Sequence, residues 1–151
     1  MQRGTHDGIS HDTRPSPITM IERDTSRLLV ITSCATFLAT IPHVIEDFAS
    51  AVPAEYHLAA EPAAILVAMV VMTQVYGTAS AARHERMGYW LCVLTGLFWV
   101  LGAVYDHIPE LFSGTFRLGA WSVALVLGII ILHGATALPA MVALQCRASA
   151  T

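Results

Sequence analysis

Two short blocks carry most of the groups able to handle a metal ion or a proton. His43, Glu46 and Asp47 stand at i, i+3 and i+4, so on a helix all three share one face. His107 and Glu110 repeat the i, i+3 step, with Asp106 beside them. Both blocks read H-x-x-E-x-F, sixty-four positions apart, which suggests a two-fold repeat of a two-helix unit. Imidazole with carboxylate is a ligand set for a divalent cation such as zinc or manganese. The same groups also relay protons. The metal candidates are therefore His43, Glu46, Asp106, His107 and Glu110. A bis-histidine haem between His43 and His107 ranks below this, because nothing else in the chain marks an electron-transfer protein. A plainer account is a solvated acidic rim, which already explains Glu55, His57 and Glu61.

A second group lies in otherwise apolar surroundings. His133 falls 15 residues after Leu118, or about 22 Å along a helix. Gln74 and Tyr76 fall at a comparable depth in another apolar stretch, about 18 Å or a little more from its start at Pro62. With Ser33 and Thr36 they are expected to form one buried polar layer, serving a ligand or holding helices together.

The elements that must position these residues follow from where charge is absent. The chain has 151 residues, 55% of them hydrophobic and 13% charged, against about 25% charged in ordinary soluble domains. Its mean hydropathy is +0.60. Residues 28–45, 62–82, 88–105 and 118–144 contain no Asp, Glu, Lys or Arg. Each is near the roughly 20 residues a helix needs to cross a bilayer, and backbone groups in lipid require helices or closed barrels. The expected fold is all-α: an integral membrane four-helix up-down bundle, residues 28–145, between a polar, disordered tail over 1–27 and a short tail over 146–151. Met20 is an alternative start, and a cleaved signal ending at Ala49-Ser50-Ala51 is a rival for the first span.

All eight cations are arginine. Seven lie on one side of the spans and only Arg117 on the other, which places both termini in the cytoplasm and the His/carboxylate blocks outside. Tyr89, Trp90, Tyr105 and Trp121 are expected at the membrane interfaces, and Trp99 in packing. Pro109 should stop the third span near residues 106–108. Cys34, Cys92 and Cys146 form no C-x-x-C pair, which excludes a dithiol or thiolate metal centre and leaves Cys34 and Cys92 as small packing residues.

A net charge of −3 without a basic surface excludes nucleic acid as a partner. No P-loop, G-x-S-x-G, H-E-x-x-H or dinucleotide fingerprint is present, so the chain leans away from enzymes. The expected protein is multi-pass in a cell membrane, taken as a bacterial inner membrane. It binds or conducts a small solute, divalent cation or protons through its outer His/carboxylate mouth. The alternative is a structural or assembly subunit, with the lipid bilayer and a homo-oligomer or membrane-complex partner as its contacts. A haem carrier or other membrane enzyme is third.

Overall fold

In the computed structural model, which describes residues 17–116 and 119–149, the chain forms five helices. They are α1 (Pro17–Ala49), α2 (Val52–Glu55), α3 (Ala60–Ala82), α4 (Arg86–Ser113) and α5 (Ala120–Ala148). Four of them are long and apolar enough to cross a membrane: Arg23–Ala49, Ala60–Ala82, Arg86–Glu110 and Ala120–Ala148. Large side chains such as Leu38, Met69, Leu101 and Ile131 point outward, as lipid-facing residues do. α1 begins eleven residues ahead of the first charge-free stretch, so the part of the expected 1–27 tail from Pro17 onward is helical. The remainder, residues 1–16, lies outside the described residues, as do Arg117 and Leu118.

α5 packs on α1 and α4, and α3 packs mainly on α4 and less on α1. Along α1 and α3, hydrogen-bonded partners rise in number on one helix and fall on the other. Ser26 donates to the Ala81 carbonyl, Ser33 bonds Thr78, and Gln74 donates to Thr36. Two apolar clusters fill the interior. Leu29, Ala81, Tyr89, Cys92, Val93, Ala140 and Ala143 close one end, and Ala39, Ala103 and Ile129 pack with Trp99 toward the other.

The turn between α3 and α4 is tight. Backbone N–H groups of Arg83 and Glu85 both bond the Ser80 carbonyl, and His84 takes a left-handed φ of 60°. Gly88 then lies against α3 so closely that a Cβ there would stand 2.2 Å from the Ala81 nitrogen. Gly128 similarly admits the Ala39 methyl of α1, at 3.1 Å from its would-be Cβ. The small-residue step Gly77/Ala81 is buried, whereas Ala120 and Ala124 are exposed.

Several sequence expectations need correcting. α4 does not stop before Pro109 but continues to Ser113. A proline deletes one bond, here to the Tyr105 carbonyl, and close to a helix end that loss is tolerated. Tyr89, expected at an interface, is buried within the protein near the α3–α4 turn, with Arg147 over its ring at 5.2 Å. Cys34 is exposed and does not pack in the interior as Cys92 does. Trp90, Tyr105 and Trp121 are exposed at the positions expected of interfacial aromatics.

The buried polar residues form a seam rather than a layer. On α1, Ser26, Ser33, Thr36, Thr40, His43 and Glu46 are all buried, at steps of seven, three or four that keep them on one face. His133 is 1% exposed, and its Nε2 lies 2.9 Å from the Thr40 hydroxyl, with its ring stacked on Trp99. Gln74 pairs instead with Thr36. Tyr76 does not join them and is 57% exposed. Two positions on from Gln74, it is turned about 200° round α3, so both cannot face inward. His133→Leu is expected to cost about 0.6 kcal/mol and at most about 1.7, the range for interhelical bonds in membranes. Reversible unfolding in mixed micelles measures it, and a loss of several kcal/mol would show a role beyond one such bond.

Candidate metal centre

The backbones of α1 and α4 do not come close, since each packs on α5 and α3 instead. Their side chains nevertheless meet across the bundle. Pairing α1 and α4 each against α5 brings the ends carrying the two H-x-x-E-x-F blocks to the same level. There the Nε2 atoms of His43 and His107 lie 3.2 Å apart, with ring centroids at 4.9 Å. Both histidines are buried.

Around this pair stand three carboxylates. Asp47 Oδ2 lies 3.4 Å from His43 Nε2, Asp106 Oδ2 lies 3.5 Å from His107 Nε2, and Glu110 Oε2 lies 2.6 Å from His107 Nδ1. Glu110 as a carboxylate accepts the Nδ1–H of His107, which leaves Nε2 with its lone pair directed at His43. This is the arrangement in which a ligating histidine is oriented by an acid on its far nitrogen. His43 has no equivalent: its Nδ1 is buried with no hydrogen-bond partner.

Ligand spacing can be checked directly. Zinc bonds of about 2.0–2.1 Å in a tetrahedron put neighbouring donor atoms about 3.3 Å apart. The separations of 3.2 Å between the histidines and 3.4 Å from His43 to Asp47 fit that edge length. One donor atom each of His43, Asp47 and His107 falls within 4.8 Å of the others. Three protein ligands leave a fourth position for water or a substrate.

Of the residues singled out by sequence, His43, His107, Asp106 and Glu110 come together and Glu46 does not. Glu46 turns to α5, where it accepts a hydrogen bond from Ser122, and its Oε2 is buried without a partner. Asp47 takes the place beside the histidines. The difference is rotational: from His43, i+3 lies about 60° to one side and i+4 about 40° to the other. The two motif copies also diverge at their ends, Phe48 lining a cavity beside the histidines and Phe112 being 89% exposed. Glu55, His57 and Glu61 are exposed, as a solvated rim would be.

Tyr56, which sequence reasoning did not single out, completes the site. α2 folds over the end of the bundle, entered by Ala51 in a left-handed conformation and followed by Tyr56 as its C-cap. The Tyr56 hydroxyl donates to Asp106 Oδ1, holding that carboxylate beside His107. The acceptor carboxylate, with some burial, pushes the phenol's ionisation up to about 12, so the donor stays protonated at any physiological pH. Only its proximity to helix ends carrying acids marked it in the sequence.

The chain matches no protein-family model, and no curated protein or solved structure gives a significant match.

Proposed function

We propose that the chain is a multi-pass cell-membrane protein that binds a divalent transition-metal cation at the outer end of its bundle. His43, Asp47 and His107 are the ligands, Asp106 is a further donor at the margin, and Glu110 orients His107. The observation that carries this is the opposed Nε2 pair at 3.2 Å with Glu110 on the far nitrogen of His107. Two imidazoles and a carboxylate suit zinc, or manganese where oxygen donors dominate. The arginine bias supports an up-down arrangement with both termini cytoplasmic, which puts the centre on the outer side.

The test is metal content. Protein purified in detergent, exposed to zinc and dialysed is expected to retain about one equivalent per chain. His43→Ala/His107→Ala should retain none while keeping the wild-type helical signal and elution volume. Absence of stoichiometric metal from the wild type, or equal retention by the double variant, overturns the reading.

A further inference from the structure

Two cavities meet at the centre, and their chemistry is opposite. One, of about 310 Å³, lies among α1, α3 and α4; its wall surface is predominantly apolar, although polar residues border it at one end, and the half-exposed Leu66 and Phe98 stand at its edge. The other, of about 290 Å³, is bordered by Glu46, Glu55, Glu110 and Ser122. They share five residues: Asp47, Val52, Tyr56, Asp106 and His107. His43 also lines the apolar cavity. The proposed ligating groups therefore stand in the wall between an apolar recess and a polar one. Within the polar chamber's wall, Glu46 is 8% exposed and has a carboxylate oxygen with no partner, so the polar side holds a built acceptor as well as the metal ligands.

We infer that the site takes an amphiphile: an apolar body of about ten to twelve carbons in the larger cavity, with an oxygen-bearing head at the fourth metal position. The size follows from scale, since a cavity of about 150 Å³ holds one benzene and this one is about twice that. The head must be a metal-ligating oxygen group, because three carboxylates ring the position and an anionic head is accepted only with the cation between. The edge at Leu66 and Phe98 faces the acyl region of a bilayer, so such a molecule enters from the membrane rather than from water. This inference rests on the metal reading for the head but not for the body.

Gly102 makes the two separable. It lines the apolar cavity, and a Cβ added to it meets nothing within 4 Å. Gly102 is itself exposed at the cavity's border, so Gly102→Leu adds bulk at the mouth and obstructs it without displacing backbone. The probe metal is cobalt(II), whose visible spectrum reports the centre, titrated with decanohydroxamate or with acetohydroxamate in detergent. Wild-type protein is expected to bind the ten-carbon hydroxamate at least about tenfold more tightly than the two-carbon one, a floor far below full burial of the chain because micelles compete for it. Gly102→Leu should bind cobalt normally but lose that preference. Equal affinities in the wild type, or a preference that survives Gly102→Leu, overturn the inference while leaving the metal centre standing. A wild type that shows no cobalt spectrum overturns the metal reading and the head placement together. In that case quenching of Trp99 fluorescence by 10-bromodecan-1-ol, in a Trp90→Phe/Trp121→Phe background, tests the body alone: quenching that Gly102→Leu strongly reduces upholds the cavity reading, and absent quenching or quenching it does not change overturns it.

Discussion

Gly88→Ala is expected to destabilise the bundle by about 3 kcal/mol, the upper end of what overpacking usually costs. The added methyl would lie 2.2 Å from the Ala81 nitrogen, 2.6 Å from the Ser80 carbonyl carbon and 2.8 Å from the Ala81 Cα. All three are backbone atoms of α3, so no side chain can swing away, and the helices must part. Their separation would pull on the closing cluster, where Ala81, Tyr89 and Cys92 are fully buried together. Alanine is otherwise the better helix former by about 1 kcal/mol, which makes the sign of the effect informative. Gly134→Ala is the matched control, since nothing lies within 4 Å of its Cβ. It should leave stability unchanged or raise it. Unfolding of both variants in mixed micelles measures the contrast, and a Gly88→Ala protein as stable as Gly134→Ala would mean the helices are further apart than described.

Asp47→Asn is expected to weaken metal binding by about a hundredfold or more, because removing even an orienting partner costs 10- to 100-fold and Asp47 supplies a ligand atom. Glu110→Gln falls within that 10- to 100-fold range, since the amide cannot accept from His107 Nδ1 with a full charge. Glu46→Gln should change affinity by only about threefold, below that 10- to 100-fold range, reflecting a lost neighbouring charge rather than a lost ligand. The last comparison matters most, because Glu46 and Asp47 are adjacent acids at the same end of the same helix. Competition against a chromophoric zinc chelator at neutral pH ranks all three variants. If Glu46→Gln proves the most damaging, the cation sits in the polar chamber against α5 and not between the histidines.

Much of the architecture was legible because the bilayer imposes a simple rule. A segment free of formal charge and about 20 residues long, without strand alternation, is expected as a helix, and the four such segments reappear in α1, α3, α4 and, from Ala120, α5. The polar face of α1 was legible in principle too. Ser33, Thr36, Thr40 and His43 recur at three and four, and Tyr76 could have been set aside from its two-residue offset to Gln74. Local pattern was a poorer guide at Pro109, where proximity to the helix end let α4 run on, and at Cys34, which α1 turns outward rather than into the packing.

The candidate chemistry divides the same way. Sequence by itself determined that two histidines and several acids stand at matching ends of two helices, because residue type and periodicity fix which face of a helix a side chain occupies. It also determined that Asp47 and Glu46 share the face of His43. Only the tertiary structure decided between them, and the reason is geometric. Facing α4 and facing α5 differ by a modest rotation of α1, which no periodicity encodes. That rotation is set by packing: Ala39 against Gly128, Thr40 against His133 and Thr36 against Gln74. With α1 locked in that orientation, Asp47 lies by the histidine pair, Glu46 by Ser122, and the wall between the apolar and the polar recess falls at the proposed ligands.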